Sequence, residues 1–337
     1  MTNREQLSKS DEAIETILRN APPRPTPSAT EIAHVRNTVR AEWLALCGKR
    51  RMRRRVVSLA AAASIIGAVA AGLLMLRVPS ALPERVATIE RSAGQTYLLD
   101  AQSELHQTPG QAEFFTGQTL VTGNSAAVAL DWLGGGSLRI DKDSRVEFVS
   151  PGEILLHDGR VYFDSQPSAL RARVAPLAAA EFVVRTGEGV VRHVGTQYMA
   201  GVSASGVTVS VREGQVQVVS DRVNATASAG QQVRLRGNSR PSYTNISAYG
   251  ELWHWAEEIT PEIIVDQRSA HEFIAWAARE SGLSVEFAST GAEELAHDTV
   301  MSGGSGGLEP RAALQVLLQT TTLKAIVEDG SILITER

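Results

Sequence analysis

The sequence has 337 residues but a single cysteine, Cys47, and only 5% aromatic residues. One cysteine excludes a disulfide framework and a zinc site built from several thiolates. Seven histidines are scattered along the chain without a His-x-x-x-His pair, so the sequence predicts no metal site and no cofactor. The glycine-rich run SGGSGG at residues 302–307 lacks the Lys-Ser/Thr that completes a phosphate-binding loop, and we interpret it as a flexible loop. These absences indicate a protein that is not an enzyme.

Charge is divided unevenly along the chain. Residues 1–55 contain 12 Lys and Arg against 6 Asp and Glu, whereas residues 56–337 contain 21 against 31. At the boundary, residues 56–76 form a run of 21 residues without a charge. As an α-helix this run would span about 30 Å, which is the thickness of the hydrocarbon core of a bilayer. We therefore predict one transmembrane helix at residues 56–76.

The residues on either side of this run predict its orientation. Six cations precede it within seven positions, and Arg77 alone follows it. The positive-inside rule then places residues 1–55 in the cytoplasm and everything after the run on the other side of the membrane. A basic block beside the bilayer contacts anionic lipid headgroups, which explains it better than nucleic-acid binding does. The six cations are Lys49, Arg50, Arg51, Arg53, Arg54 and Arg55.

The cytoplasmic segment, residues 1–55, is predicted to contain two helices separated by a proline-rich run at residues 21–27. The second helix begins at a capping box formed by Ser28 and Glu31. It carries an apolar stripe at helical spacing, which is a candidate docking surface for a partner protein. The sequence favours two interpretations about equally. In the first, the two helices pack on each other or the second lies on the membrane; in the second, the stripe docks into a groove of a cytoplasmic partner. The stripe consists of Ile32, Val35, Val39, Trp43 and Leu46.

Residues 77–240 are predicted to form an all-β domain. Apolar and polar residues alternate with a period of two from about Val86 to Leu235, between short glycine-containing turns. The pattern is typical of a sandwich, a roll or a short solenoid and does not distinguish between them. The residues expected to face the core are Val128, Leu130, Trp132, Leu138, Ile140, Val146, Phe148, Ile154, Leu156, Val161, Phe163, Phe182, Val184, Val207, Val209, Val211, Val216, Val218, Val233 and Leu235.

Residues 262–337 have a different texture and predict a small α+β domain. A helix is expected from a capping box at Ser269 to Gly282, and a second helix is expected to begin at Pro310. The predicted strands are Ile263–Val265, Val285–Phe287, Thr322–Val327 and Ile332–Ile334, the last two joined by a hairpin turn.

Residues 241–261 are predicted to connect the two domains. Trp253 and Trp255 stand out in this connector. Either these two side chains anchor one domain on the other, or they offer an exposed aromatic contact site.

Several characteristic segments follow one another along the β domain. Between Gly117 and Ser165 they are GQTLVTGNSAAVAL, LGGGSLRIDKDSRVEF and ILLHDGRVYFDS, and within residues 182–235 they are FVVRTGEGVVRHVGTQYMAG, VTVSVREGQVQVVS and AGQQVRL. In this order they resemble the FecR family of envelope signal transducers. Residues 262–337 resemble the short N-terminal module of secretins and TonB-dependent receptors, notably in RSAHEFIAWAARESGLSVEF and LEPRAALQVLLQTT. The most recognisable positions of the FecR-like motif, to which we assign a structural role, are His193, Gly195, Thr196, Glu213 and Gly214.

The resemblance implies a signalling pathway. Proteins of this family pass a signal from an outer-membrane TonB-dependent receptor, often one that takes up iron-siderophore complexes, to an extracytoplasmic-function sigma factor, which they restrain or activate. For this chain it implies a single-pass protein of the bacterial inner membrane whose bulk is periplasmic. The receptor's signalling domain would be the periplasmic partner, and the sigma factor would bind the cytoplasmic stripe. The alternative is an envelope scaffold that binds a periplasmic or cell-wall component and uses the helix only as an anchor.

Overall fold

The computed structural model of the protein describes residues 14–20, 28–42, 83–99, 104–108, 112–165, 182–220, 223–237 and 239–337. The chain divides into two compact units, Met1–Ser80 and Ala81–Arg337. The predicted transmembrane segment and the six cations before it lie outside the described residues. Within the described part of the chain, no helix combines the length and the apolar character that crossing a bilayer requires.

Among its described residues, the first unit contains two helical stretches, α1 at residues 14–19 and α2 at residues 29–42. The predicted capping box starts α2, since the backbone N–H of Ser28 donates to Glu31 Oε2 over 2.9 Å and the backbone N–H of Glu31 donates to Ser28 Oγ over 3.3 Å. The bond from the Ser28 backbone N–H, together with one from the Ser28 hydroxyl to Glu31 Oε2 over 3.0 Å, lowers the pKa of the Glu31 carboxyl. All described residues of both helices are exposed.

The second unit begins with fifteen strands that join in one sheet, and the fold as a whole is mostly β-sheet with a few helices. The strands are β1 (Arg85–Ala93), β2 (Thr96–Leu99), β3 (Leu105–Gln107), β4 (Glu113–Phe115), β5 (Thr119–Thr122), β6 (Ala127–Trp132), β7 (Ser137–Ile140), β8 (Arg145–Ser150), β9 (Glu153–Asp164), β10 (Val183–Thr186), β11 (Gly189–Ser203), β12 (Gly206–Val219), β13 (Asn224–Ser228), β14 (Gln231–Leu235) and β15 (Ser242–Asn245).

The sheet surrounds one hydrophobic core. Its main path runs β15-β14-β12-β11-β10-β9-β7-β6-β1-β4, and its pairs are antiparallel except for β9 with β10. All twenty residues that the alternation predicted to face inward are buried in this core. A residue is buried on one face of a strand only if something covers that face, so the sheet must fold over on itself.

Two long neighbouring strands bend at the same level. Residues 189–192 of β11 pair with β10, whereas residues 197–202 of the same strand pair with β9. On β12, residues 215–219 pair with β13 and residues 207–211 pair with β14. The register between β11 and β12 shifts between Val194 and Tyr198, which is the mark of a β-bulge. Each strand therefore changes partners on either side of this bend.

The chain ends in four helices and a three-stranded sheet. The last three helices and this sheet share a core of their own, whereas the buried residues of the first helix, Trp253 and Ala256, pack against Tyr162 and Met199 of the large sheet. The elements are α3 (Glu251–Glu258), α4 (Ala270–Ser281), β16 (Ser284–Phe287), α5 (Thr290–Asp298), α6 (Pro310–Leu318), β17 (Leu323–Glu328) and β18 (Ser331–Glu336). The strand order is β16-β18-β17, with β16 parallel and β17 antiparallel to β18. We use "C-terminal module" for residues 262–337.

The helix boundaries predicted for the C-terminal module are confirmed. Ser269 and Glu272 form the capping box of α4, and Gly282 ends that helix in the left-handed conformation with φ 66°. Pro310 is the first residue of α6. The strand predicted at Ile263–Val265 is wrong: Ile264 makes only an isolated bridge to Gly304. A single bridge to Gly304 does not extend into a paired strand. The apolar triplet has the composition of a short buried strand, which is why the pattern predicted one.

Candidate functional site

The FecR-like motif predicted from the sequence lies at the bend of β11 and β12. Gly195 has φ 54° and Gly214 has φ 77°. A Cβ atom on Gly214 would stand 2.4 Å from the carbonyl oxygen of Gly195 and 2.6 Å from Cγ2 of Thr196. Only glycine permits both the left-handed backbone and this close approach. The bend therefore depends on these residues.

His193 precedes the bend and contacts aromatic side chains. Its ring centroid lies 5.2 Å from that of Phe163, 5.6 Å from that of Tyr198 and 6.4 Å from that of Phe182. Burial raises the pKa of the Tyr198 hydroxyl, so that side chain is neutral at physiological pH. The histidine thus packs at the edge of the core next to the bend.

On the opposite face of the sheet from this core, the strands carry charges that hold the C-terminal helices. Arg139 of β7 stands between Leu138 and Ile140, which are both buried in the core, so its side chain points to the other face. There it donates from Nη1 to the carbonyl oxygen of Ala256 over 2.7 Å and from Nη2 to Glu280 Oε2 over 2.5 Å. One strand residue therefore holds both α3 and α4.

A second arginine makes a parallel connection from β12. Arg212 donates from Nη1 to the carbonyl oxygen of Glu280 over 2.9 Å and from Nη2 to Glu257 Oε1 over 3.2 Å. Its guanidinium carbon also lies 4.6 Å from the ring centroid of Trp253. The other oxygen of Glu257 accepts a hydrogen bond from Arg311 of α6 over 2.9 Å. Glu257 of α3 thus joins its own helix both to the sheet, through Arg212, and to α6, through Arg311.

A third set of charges lies directly at the bend. Arg279 of α4 donates to Asp164 Oδ1 over 2.7 Å and to Glu213 Oε2 over 2.5 Å. Gln197 of β11 donates from Nε2 to the second oxygen of Asp164 over 3.0 Å. The motif residue Glu213 therefore contacts the C-terminal module directly. We call Arg139, Asp164, Arg212, Glu257, Arg279 and Glu280 together the ionic junction.

Burial shapes the electrostatics of this junction. Burial acts to lower the pKa of Arg139, but Glu280, Tyr162 and Asp164 together outweigh it and the pKa is raised. For Glu257, burial raises the pKa more than Arg212 and Arg311 lower it. Burial also raises the pKa of Tyr162, which packs against both buried arginines. Charged groups that are removed from water are stable only when they are paired. Separating the C-terminal helices from the sheet would break these pairs and would therefore cost free energy.

Of the two connector tryptophans, one is an anchor and the other is half-buried. Trp253 is fully buried and meets Tyr162 edge-on at 6.2 Å between ring centroids, while its Nε1 donates to the carbonyl oxygen of Ser247 over 2.8 Å. Trp255 has the guanidinium of Arg160 above its ring at 5.5 Å. The anchoring interpretation therefore holds for Trp253.

The apolar stripe of α2 is exposed as far as the structure describes it. Ile32, Val35 and Val39 are 44%, 61% and 60% exposed. Trp43 and Leu46 lie outside the described residues.

Sequence reasoning missed every arginine of the ionic junction. Arg139 stands between two core residues of its strand, and alternation predicts only that it faces away from the core. Its partners Ala256 and Glu280 lie 117 and 141 positions away in the sequence. Sequence reasoning also missed the cluster of His254, Glu258 and Glu309. Among the described residues, this is the group of potential ligands close enough to share a metal ion. The four-residue spacing of His254 and Glu258 was the available signal.

Among comparisons with known proteins, a family match covers the part of the chain that contains the bend. Residues 118–217 match the family model described as FecR protein, from β5 into β12. Two crystal structures described as a "putative anti-sigma factor" from Parabacteroides distasonis are similar to 65% and 64% of this chain and to 99% and 97% of their own. Their sequences are 15% and 16% identical to it, and the TM-scores are 0.33 and 0.31. No curated protein matches the chain. The predicted resemblance to the FecR family is thereby confirmed for residues 118–217.

Proposed function

We propose that this protein, which carries a FecR domain at residues 118–217, is a single-pass regulator of the bacterial inner membrane and not an enzyme. It relays a signal from an outer-membrane TonB-dependent receptor to an extracytoplasmic-function sigma factor. The family match is the observation that carries this proposal. The uncharged run at residues 56–76 and the cations before it support an orientation with the N-terminus in the cytoplasm and the FecR domain in the periplasm.

The C-terminal module offers the receptor a place to bind. In its sheet, β16 and β17 are the outer strands, and each has one edge without a strand partner among the described residues. An extended segment of a partner can continue such a sheet through main-chain hydrogen bonds. In this proposal the signalling domain of the receptor docks at one of these edges.

On the cytoplasmic side, the sigma factor binds the apolar stripe of α2. The exposed side chains of Ile32, Val35 and Val39 lie on one face, at steps of three and four residues. An isolated helix of this length gains little stability from its own hydrogen bonds. A partner groove that covers this face would stabilise the helix and bury apolar area at the same time.

The ionic junction makes a relay physically reasonable, because it gives the C-terminal module a discrete seat on the FecR domain. Breaking one buried pair without replacing it costs about 3–5 kcal/mol. A receptor that binds only the displaced C-terminal module must therefore supply new contacts of comparable energy. The module then has two states, seated and displaced, rather than a continuum of positions. The bend of β11 and β12 would transmit that change, since Glu213 joins it to Arg279.

Capture of partners from crosslinked cells tests this function. The tagged full-length chain is purified from the native host, and the co-captured sigma factor and receptor are quantified. Val39→Asp combined with Trp43→Ala should abolish capture of the sigma factor while capture of the receptor continues. Asn37→Asp adds the same charge away from the stripe and should leave both unchanged. Sigma capture that survives the stripe variant would remove α2 from the proposal.

A topology measurement tests the membrane part separately. Alkaline phosphatase fused after Arg337 is active only outside the cytoplasm, so the fusion should be active in intact cells. Activity that appears only with a cytoplasmic reporter at the same position would contradict the orientation. Capture of a periplasmic or cell-wall component without any sigma factor would favour an envelope scaffold instead.

A further inference from the structure

Helix α3 and the loop that enters α6 bring three potential metal ligands together. His254 and Glu258 are four residues apart on α3, so both side chains project from the same face. His254 Nε2 lies 3.2 Å from Glu258 Oε1. Glu309 approaches this pair from the residue just before α6, and one ligand atom of each side chain lies within 4.8 Å of the other two.

Glu309 has no other task among the described residues. It is the N-cap of α6, yet its carboxylate makes no hydrogen bond to the first turn of that helix. It stands instead beside the carboxylate of Glu258. Two carboxylates this close repel each other unless a cation or a proton lies between them. The position thus favours a bound cation.

Strand β1 holds in place the two segments that carry these ligands. Arg91 of β1 donates from Nη1 to the carbonyl oxygen of Thr260 over 2.7 Å and from Nη2 to that of Gly307 over 2.8 Å. Thr260 follows Glu258 by two residues, and Gly307 precedes Glu309 by two residues. The fold therefore positions the ligands before any ion arrives, which lowers the entropic cost of binding.

An open cleft gives access to the group. A cavity of about 660 Å³ lies between α3 and the sheet, and His254 and Glu258 border it. The charged side chains along this cavity are balanced, and Glu309 adds one further negative charge beside it. The lining charges are Arg91, Lys142 and Arg160 against Asp141, Glu251 and Glu258.

We propose that His254, Glu258 and Glu309 bind one divalent transition-metal ion, with Zn²⁺ as the best fit. One imidazole nitrogen and two carboxylate oxygens suit Zn²⁺, with water in the fourth position, whereas Ca²⁺ and Mg²⁺ prefer shells made entirely of oxygen. Ligand atoms around tetrahedral zinc stand about 3.3 Å apart. Rotation of the side chains of Glu258, which is exposed, and Glu309, which is half-buried, closes the remaining gap. The ion would join α3 to the start of α6 and so reinforce the seat of the C-terminal module.

Calorimetric titration of the full-length chain in detergent tests the site. The protein is purified without a histidine tag, treated with EDTA, dialysed and titrated with ZnCl₂ at pH 7.5. We expect one ion per chain. Glu309→Gln should weaken the affinity at least ~10-fold, because it removes a ligand. Glu251→Gln, an acid of the same cleft outside the group, should change it less than about twofold.

Two further measurements keep the test decisive. Circular dichroism establishes that Glu309→Gln is folded, and Zn²⁺ should raise the melting temperature of the wild type but not of this variant. Equal affinity in the wild type and a folded Glu309→Gln variant would overturn the proposal. So would a site abolished by His271→Gln, because His271 stacks on His297 and offers a rival pair of imidazoles.

Discussion

Arg139 of β7 and Glu280 of α4 are 141 positions apart in the sequence, yet they form an ion pair whose side chains are 0% and 2% exposed. The pair joins a strand of the FecR domain to a helix of the C-terminal module. It lies beside Tyr162, whose ring centroid is 5.0 Å from the Arg139 guanidinium carbon. The position of the C-terminal module therefore depends on charged side chains that are buried away from water.

Breaking this pair from one side should be more damaging than removing it entirely. We expect Arg139→Met to lower the free energy of unfolding by about 3–5 kcal/mol, because the Glu280 carboxylate stays buried without its partner. The double variant Arg139→Met with Glu280→Met should recover a large part of that loss. Urea unfolding followed by tryptophan fluorescence measures the wild type, the two single variants Arg139→Met and Glu280→Met, and the double variant. A double variant as unstable as the sum of the single variants would contradict this account.

Gly214 should not tolerate a side chain. Its φ of 77° and the 2.4 Å approach to the Gly195 carbonyl oxygen force either strain or movement of the bend. We expect Gly214→Ala to cost about 1–3 kcal/mol or more in unfolding free energy. Gly187→Ala is the matched control, since a Cβ there meets nothing within 4 Å. Equal midpoints of thermal unfolding for the two variants would show that the bend is not constrained in this way.

The C-terminal module should lose stability in mild acid. Burial lowers the pKa of His271 and the neighbouring His297 lowers it further, against smaller opposing effects of Glu293 and Glu272. The folded state therefore binds this proton less readily than the unfolded state, whose pKa is about 6.5. Stability from this group is present above pH 6.5 and is lost as the pH falls below it.

Melting temperatures at pH 7.5 and pH 5.5 measure this effect. The decrease on acidification should be smaller in His271→Gln than in the wild type. His34→Gln, on the exposed helix α2, should behave as the wild type does. An unchanged decrease in His271→Gln would assign the acid sensitivity to other groups.

Much of the local structure was predictable because its causes are local. The alternation along β6 to β14 predicted which residues face the core, since successive side chains of a strand point to opposite faces. Ser269, Glu272 and Gly282 predicted α4 because capping involves residues only a few positions apart. By contrast α5 was not predicted, since Thr290–Asp298 is a short polar helix with a small apolar face.

The long-range contacts were beyond such reasoning. Glu213 and Gly214 were recognised as motif residues, but their relation to Arg279 and Gly195 follows only from the register of β11 on β12 and the seat of α4. The same holds for Glu309 beside His254. Side-chain periodicity reports which face a residue occupies and carries no information about what lies opposite that face.

The chain by itself determined the core-facing residues of most strands between β6 and β14, both ends of α4, the start of α6, the uncharged run at residues 56–76 and the FecR-like motif. Each of these depends on neighbours within a few residues. Only the tertiary structure decided where the C-terminal module sits. Arg139, Arg212 and Arg279 would be solvated in an unfolded chain, and burial together with their carboxylates is what makes the pairing specific.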